Sequence, residues 1–342
     1  MPSELPASIA RDLATPAVAG ERHHQMCHLV KAMLGAGWSS EEVFQQFRSM
    51  YNADKTDREI RSVIKWGQAQ NPTPYRAAQS TNRVSMNYHT TRCLTPAEIA
   101  NKVSISEAIK NAREYLDQFT VDEADLHDAS MVRLSEDSRD DTALVFSHLY
   151  RPEEFVCVNT AFRLDRTEKA ELKPTIVGPG VTHSAAHWCE LLTQTRRDRA
   201  TPAGGWIRMN PVTEIGSGTR GAHNDVDVTS YRYILVEFDS IPRDIQLALL
   251  CSLYWPVAMI CSSGGKSYHA WVLSKATNQE SYAREVDWIY RELAKYKVDT
   301  GNGNPSRFSR LPGLKRELGA VGSGEQKLIY LNPNPSLEHP IL

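Results

Sequence analysis

The sequence predicts an α+β protein in which a small helical region precedes a larger region of strands and helices. Two patterns lead to this prediction. Apolar residues recur at spacings of three and four through residues 21–70, as they do in amphipathic helices. From residue 233 onward, short β-branched and aromatic runs alternate with helical patterns, as they do where helices cover a sheet. At 342 residues the chain is long enough for two domains of ordinary size.

The pattern of apolar and capping residues in residues 21–70 predicts three short helices. Apolar residues between Met26 and Met33 share one face of the first helix. Ser39 and Thr56 each precede a glutamate by three residues, which is the capping-box pattern, and they begin the second and third helices. We therefore expect a helical domain over residues 1–74. Residues 75–98 are polar and lack a sustained period, so we expect a linker there.

The strands are predicted within residues 99–342. A helix over residues 104–119 and short strands over residues 154–158, 176–177 and 206–209 indicate an additional α/β subdomain. The clearest series is strand 233–239, helix 242–253, strands 257–261 and 268–273, helix 279–296 and strand 326–331. This βαββαβ order is typical of a ferredoxin-like or RNA-recognition-motif-like core. We expect helices on one face of an antiparallel sheet, with the other face free for ligands.

Composition excludes several classes of protein. A net charge of −2, a hydrophobic content of 41% and the lack of any long apolar run predict a soluble protein with no membrane partner. The first residues have no basic and apolar leader pattern, so we expect a cytoplasmic location. The six cysteines are far apart and form no C-x-x-C pair, which argues against a zinc ribbon.

Two carboxylates mark the first candidate site. Glu237 and Asp239 lie two apart in a predicted strand, so both side chains leave the same face. The strand follows the apolar residues 234–236 and is predicted to be central, where unpaired carboxylates are costly. A divalent cation would join them, and oxygen ligands suit Mg²⁺ or Mn²⁺. A pair of such ions serves phosphoryl and nucleotidyl transfer. The alternative is a solvated surface pair.

The segment Gly265-Lys266-Ser267 matches the end of a phosphate-binding P-loop, but the rest of that motif is missing. The first glycine of a P-loop would fall where the chain has Ile260. The residues that follow are aromatic and β-branched, which indicates a strand rather than a helix. We therefore predict a β-hairpin that returns beside the carboxylate strand. Lys266 and His269 would then reach a nucleotide triphosphate, although a solvated lysine and a structural histidine remain the alternatives.

A third polar segment covers residues 299–313. Asp299 could supply a third metal ligand. Arg307 and Arg310 lie three apart and could face a phosphate chain or a template backbone. With Lys315 and Arg316 close behind, the segment carries a local excess of positive charge that the whole chain lacks.

These three segments resemble the three motifs of the archaeo-eukaryotic primase superfamily, in particular the primase-polymerases of plasmids, phages and other mobile elements. The motifs are a carboxylate pair on a strand, a small residue followed by any residue and histidine, and an aspartate. The resemblance covers roughly residues 155–331, in order. One departure is Glu237, where many relatives have aspartate. The segment from Gly204 to Pro211 also resembles the part of these proteins that approaches the incoming nucleotide.

The resemblance implies a DNA primase-polymerase that adds NTPs or dNTPs to primers on a single-stranded DNA template. Its metal ligands would be Glu237, Asp239 and Asp299, and the metals Mg²⁺ or Mn²⁺. The catalytic set adds His269, which would contact the triphosphate. The nucleotide-binding set implied is Lys266, Ser267, His269, Arg307, Arg310 and Asn210. Because no P-loop motor is present, unwinding would need a separate helicase.

Residues 21–70 resemble the small helical domain that many such primases carry after the catalytic domain, although here it comes first. A generic helical adaptor is the alternative. Two other functions stay open for the whole protein. One is a non-catalytic single-stranded DNA-binding or origin-recognition protein. The other is a rolling-circle nicking enzyme, which needs paired histidines and a tyrosine nucleophile, whereas Tyr268-His269 supplies one histidine.

Overall fold

In the computed structural model, the protein divides into two compact units, residues 1–91 and residues 92–342. The structure describes residues 9, 13–14, 22–51, 57–69, 94–166, 172–194, 200–201, 203–253, 255–317, 324–336 and 341. Most of the predicted linker therefore lies outside the described residues. Its last residues, 94–98, belong to the second unit.

The first unit contains three described helices, α1 (Arg22–Gly35), α2 (Ser40–Tyr51) and α3 (Asp57–Ala69). They bury a shared core that includes Met26, Phe47 and Ile60. The predicted capping box begins α2, because the Glu42 backbone N–H donates to Ser39 Oγ at 3.2 Å and Glu42 Oε2 accepts from the Ser39 N–H at 2.7 Å. The corresponding box at Thr56 lies outside the described residues.

The second unit carries the remaining described helices and all the described strands. The helices are α4 (Pro96–Lys102), α5 (Ile105–Leu116), α6 (Glu123–Ala129), α7 (Asp141–Leu149), α8 (Ala185–Gln194), α9 (Arg243–Ser252) and α10 (Gln279–Leu293). The strands are β1 (Phe155–Asn159), β2 (Phe162–Arg166), β3 (Leu172–Ile176), β4 (Val181–Ser184), β5 (Ala200–Thr201), β6 (Trp206–Arg208), β7 (Tyr233–Glu237), β8 (Val257–Ser262), β9 (Tyr268–Leu273), β10 (Phe308–Arg310), β11 (Leu314–Arg316), β12 (Gly324–Gln326) and β13 (Leu328–Leu331). None of the helices in the described ranges is long and apolar enough to cross a membrane.

An antiparallel four-stranded sheet with the order β13-β8-β9-β7 forms the centre of the second unit. Alternation along the strands sends Ile234, Val236 and Ala270 to one face, where α5, α9 and α10 cover them. The unit is therefore α+β with antiparallel sheets, as predicted. The third strand, β9, lies between the first two, β7 and β8.

The last strand of the series, β13, pairs with β8 at the far edge of the sheet. In a ferredoxin-like sheet the last strand lies beside the first. Here the outer edge of β7 is occupied by the chain that follows α10, because the Asp299 N–H donates to the carbonyl oxygen of Glu237 at 2.9 Å. That contact brings residues 299–302 directly beside the carboxylate strand.

The opposite face of the central sheet is buried, so the expectation that it is free for ligands is wrong. A second four-stranded sheet, with the order β10-β6-β1-β4, packs over it together with α7 and α8. Leu235 and Trp271 from the central sheet share this core with Val156 and Ile207 from the second. The strands of this second sheet are short, so their apolar patterns in the sequence did not show that they would cover the central sheet. A ligand site must therefore lie at the ends of the strands.

A buried carboxylate connects α7 to the central sheet. Asp141 is 1% exposed, and its Oδ2 accepts from the Leu328 N–H at 2.7 Å at the start of β13. Burial raises the pKa of Asp141 to about 7 from an ordinary value of 3.8, although the hydrogen bond from Leu328 and the charge of Lys327 oppose this shift. The folded state therefore holds the Asp141 proton more tightly than the unfolded chain does.

We predict that the free energy of unfolding falls as the pH rises from about 4 to 7, by at most about 1.4 kcal/mol per pH unit from this group. Asp141→Asn keeps an oxygen acceptor for Leu328 without the charge. The variant should lose this slope and be more stable than the wild type above pH 7. Chemical denaturation of both proteins across this pH range measures the free energy of unfolding and its slope with pH. Equal slopes in the two proteins would contradict the assignment.

Candidate functional site

The centre of the site is the side-chain pair formed by Glu237 and His269. They are cross-strand partners at the ends of β7 and β9, and they are 8% and 6% exposed. Nε2 of His269 lies 3.1 Å from Oε1 of Glu237. The hydroxyl of Ser267 donates to the same oxygen at 2.7 Å. The predicted hairpin thus places two of its residues on the buried carboxylate.

The third predicted segment reaches the same carboxylate through Asn302. The Asn302 amide donates to Glu237 Oε2 at 3.1 Å and to Asp299 Oδ2 at 3.0 Å. Its own oxygen accepts from Arg307 Nε at 2.7 Å. Asn302 was not among the predicted site residues, and its only signal in the sequence is its place in a glycine-rich polar segment between Asp299 and Arg307. Asn302 links the first and third segments into one site.

Asp239 lies just beyond β7 and is the accessible carboxylate of the pair, with its side chain 41% exposed. Lys266 Nζ approaches its Oδ2 to 3.5 Å. Burial raises the pKa of Asp239, and so do the charge of Glu237, a hydrogen bond with Glu237 and the charge of Asp299, while Lys266 opposes them. The other two predicted metal ligands, Glu237 and Asp299, therefore both raise the pKa of Asp239.

Glu237 responds in the opposite direction. Burial alone would raise the pKa of Glu237, but the pull of the His269 ring and hydrogen bonds from His269, Asp239 and Ser267 outweigh it and lower the pKa. Glu237 is therefore held as the anion, and the repulsion between the two carboxylates raises the pKa of Asp239 instead. Such opposed shifts in neighbouring carboxyls are typical of functional sites.

The hairpin that carries Lys266 is held from two sides. Arg243, at the start of α9, donates to the carbonyl oxygen of Gly265 at 2.5 Å and to the hydroxyl of Tyr268 at 3.1 Å. Gly264 has a φ of +68°, and a Cβ there would lie 2.9 Å from the carbonyl oxygen of Gly324. Only glycine suits that position. The turn is thus fixed, and it presents Lys266 at the mouth of the site.

Two further arginines flank the carboxylates. The Arg310 guanidinium lies 4.6 Å from the centre of the Trp206 ring and donates to the carbonyl oxygen of Ala203 at 3.2 Å. Burial and the neighbouring Arg316 lower the pKa of Arg310 to about 10, while Glu237 and the other nearby anions oppose the shift. Arg316 also borders the hairpin, with Nη1 3.2 Å from where a Cβ on Gly265 would lie. Negative side chains therefore lie next to a cationic rim.

Asn210 is the one predicted site residue that the structure places in a purely structural role. Its side chain is fully buried. The amide donates to the carbonyl oxygens of Tyr233 and Pro305, at 3.0 Å each, and its oxygen accepts from the N–H groups of Arg232 and Tyr233 at 2.8 and 2.7 Å. These four contacts use the full hydrogen-bonding capacity of an amide. Asn210 therefore joins β6 to β7 and has no group left for a nucleotide.

The three predicted metal ligands have donor atoms that suit a divalent cation. Within the described ranges, no group of three or more His, Cys, Asp and Glu side chains is already arranged around a metal position. The donor chemistry is nevertheless suitable, because Glu237, Asp239 and Asp299 offer only oxygens and the raised pKa of Asp239 marks negative charge that a cation would neutralise. A carboxylate has about four acceptor positions, and at Glu237 they are shared among Ser267, His269, Asn302 and Asp239, so a cation would take the place of the proton shared with Asp239.

We predict that Glu237→Gln lowers the pKa of Asp239, because the substitution removes the nearest negative charge. A carboxyl titration of Asp239 by NMR measures this. Glu280→Gln, which changes an exposed carboxylate paired with Arg284 on α10, is the matched control and should leave the Asp239 titration unchanged. An unaltered pKa of Asp239 in Glu237→Gln would show that the two carboxyls do not interact.

Comparisons with known proteins do not place this chain in a family. No protein-family model, no curated protein and no solved structure matches it. Any functional conclusion therefore depends on the three sequence segments and on how the fold brings them together.

Proposed function

We propose that this protein is a DNA primase-polymerase, a metal-dependent nucleotidyltransferase that makes or extends primers on single-stranded DNA. One observation supports it above the others: Glu237, in the first segment, accepts hydrogen bonds from Ser267 and His269 in the second segment and from Asn302 in the third. Those segments resemble the three primase motifs. The convergence of three segments chosen by sequence alone is what a shared active site requires.

The chemistry suits attack of a primer or nucleotide hydroxyl on the α-phosphate of a nucleoside triphosphate, with pyrophosphate leaving. Mg²⁺ or Mn²⁺ would be held by Glu237, Asp239 and Asp299, and it would supply positive charge to the reacting phosphate. Lys266 and Arg307 would bind and orient the phosphate chain. The resemblance also assigns His269 to the triphosphate, and here its Nε2 lies on Glu237 at 3.1 Å. The hairpin, held by Arg243, and the half-buried Arg310 keep these donors in place before the substrate arrives.

The wider proposal follows from the same resemblance. The central sheet serves as the catalytic core. Its strands β7, β9 and β8 have the order of an RNA-recognition-motif-like sheet, whereas β13 departs from it by pairing with β8 at the opposite edge. The template is single-stranded DNA, and a separate helicase unwinds it. Replication of a mobile element in the cytoplasm is the setting in which such proteins act.

Three other functions fit the geometry less well. Ser309, His269 and Glu237 form a row that is similar to a hydrolase triad, but Ser309 is fully buried and cannot reach a substrate. A nicking enzyme would need Tyr268 beside the site, whereas its hydroxyl donates to Glu123 on the helical side of the sheet. A passive DNA-binding protein would place three carboxylates against a polyanion with no cation between them.

The direct test is a primer-synthesis assay. Purified protein, single-stranded templates, labelled NTPs or dNTPs and Mg²⁺ or Mn²⁺ are incubated together, and the products are sized on a gel. We expect template-dependent products that disappear with EDTA. Binding of template without product under every metal and nucleotide condition would favour the non-catalytic alternative.

We predict that Asp239→Asn lowers nucleotide addition by about two to three orders of magnitude, because it removes a metal-binding charge at the reacting phosphate. The fold should be unaffected, since this side chain is partly exposed. Asp128→Asn, at a carboxylate that is 91% exposed on α6, is the control. If Asp239→Asn extends primers at the wild-type rate, Asp239 is not a metal ligand.

We predict that residues 1–74 serve the start of a chain more than its extension. Initiation must hold two nucleotides and a bare template together, and a second hold on the template reduces the entropy lost in that assembly. Lys65 and Arg58 are exposed cations of α3 suited to phosphate contact. Arg48 pairs with Asp57 at 2.6 Å and Arg61 with Glu41 at 3.6 Å, so part of the basic charge of this domain is offset.

A protein that begins at Tyr75 tests this role on bare and pre-primed templates in parallel. We expect synthesis on bare template to fall at least about 10-fold more than extension of a primer, as a lost bivalent contact would give. Equal losses on both templates, or no loss on either, would leave the helical domain as an adaptor for a helicase or another partner.

A further inference from the structure

We propose that Asp225 is a positioning residue that fixes the turn at residues 304–307 and thereby determines where Arg307 meets the phosphate chain of a nucleotide. Asp225 lies outside the three sequence segments that define the site by resemblance. How the turn is held does not depend on the proposed function. The consequence for nucleotide binding rests on that function.

Residues 304–307 form a tight turn immediately before β10. The Arg307 N–H donates to the carbonyl oxygen of Asn304 at 3.1 Å. Pro305 takes the second position of the turn, where its fixed φ is suitable. Ser306 is 5% exposed, whereas Arg307 is exposed. The turn therefore joins a buried serine to an exposed cation.

One oxygen of Asp225 binds this turn three times. Its Oδ1 accepts from the Ser306 hydroxyl at 2.5 Å, from the Ser306 N–H at 3.2 Å and from the Asn304 amide at 3.2 Å. Hydrogen bonds to an ionised acceptor are stronger than those between neutral groups. Asp225 therefore restrains both the side chain and the backbone of Ser306.

The loop that carries Asp225 is itself held in place. Its two ends pair at the bridge between Val212 and Val228. Inside the loop, the Asp227 carboxylate accepts from the N–H and the hydroxyl of Ser217, at 3.0 Å each. Asp227 is 4% exposed, so these hydrogen bonds are shielded from water. Asp225 therefore holds the turn from a fixed position.

Other residues hold the carbonyl groups of the turn. The Arg208 guanidinium donates to the carbonyl oxygen of Ser306, and the Asn210 amide donates to that of Pro305 at 3.0 Å. Among the described residues, Asp225 alone accepts from the N–H and the hydroxyl of Ser306. Without Asp225, two donors of a buried residue would lose their acceptor, which is costly.

The position of the Arg307 guanidinium follows from the turn. Its Nε donates to the Asn302 oxygen at 2.7 Å, and the Asn302 amide donates to Glu237. Within the described ranges, the two Nη nitrogens of Arg307 bond to no protein group. A guanidinium binds a phosphate through two N–H groups in one plane, so a shift of the turn by about 1 Å would weaken that contact.

Two substitutions separate positioning from a role of the negative charge. All three hydrogen bonds end on one oxygen, which Asp225→Asn retains without the charge, whereas Asp225→Ala removes both. A positioning residue therefore tolerates asparagine better than alanine. A carboxylate that acts through its charge, for example on a metal ion, loses as much in either variant. Glu214→Ala, at an exposed glutamate of the same loop, is the matched control.

The first measurement is hydrogen exchange of the backbone amides, followed by NMR of the full-length protein without nucleotide. We expect the Ser306 and Arg307 amides to exchange at least about 10-fold faster in Asp225→Ala, because the turn loses its charged acceptor. Asp225→Asn should give a smaller increase and Glu214→Ala none. If Asp225→Ala does not fold, Ser306→Ala removes the shortest of the three hydrogen bonds and should speed exchange of the Arg307 amide.

The second measurement is the KM for nucleotide in primer extension. We expect Asp225→Ala to raise this KM by about 10-fold and Asp225→Asn by no more than about 3-fold. In a protein that already carries Arg307→Ala, Asp225→Ala should have little further effect, because Asp225 acts through Arg307. A general loss of structure would instead add its effect to that of Arg307→Ala.

Wild-type exchange rates at Ser306 and Arg307 in Asp225→Ala would overturn the inference. So would a rise in KM of equal size with and without Arg307→Ala, or an Asp225→Asn variant as impaired as Asp225→Ala. If the wild type forms no products under any condition, the proposed function fails, while the exchange rates still decide whether Asp225 holds the turn.

Discussion

Burial of the Glu237 carboxylate is the constraint on which the rest of the site depends. An ionised carboxylate at the end of a central strand costs several kcal/mol unless donors surround it. Ser267 and His269 provide them from the hairpin, and Asn302 provides one from the segment beside β7. Folding can bury Glu237 only if these segments come together around it. The basic side chains of the cationic rim then lie around the same carboxylate.

The layout separates two tasks. Glu237 is buried and satisfied by the protein, so it fixes the arrangement of its neighbours. Asp239 is more exposed, and the charges of Glu237 and Asp299 raise its pKa. A bound cation would therefore stabilise the ionised form of Asp239 more than that of Glu237. Lys266 and Arg310 lie close to this charge without neutralising it completely. A site built in this way is prepared for a cation and a polyphosphate together.

Local patterns were enough to predict the hairpin and its pairing beside β7, because period-2 alternation and turn chemistry act over a few residues. The burial of the second face of the central sheet was not predictable. It depends on short strands such as β6 and β10, which pair although they are about 100 residues apart in the sequence. The contacts of Asn302 and Ser309 with the site could not be predicted for the same reason, because their partners are distant in sequence. Asn210 was misplaced because sequence cannot tell a buried amide from an exposed one.

The most direct test of the central claim is the binding of Mn²⁺, followed by electron paramagnetic resonance as the ion is titrated into protein and a nucleoside triphosphate. We predict that the wild-type protein binds Mn²⁺ and that Glu237→Gln, Asp239→Asn and Asp299→Asn each weaken binding by about 10-fold or more. Binding of equal strength in the wild type and all three variants would contradict a metal site at the end of β7.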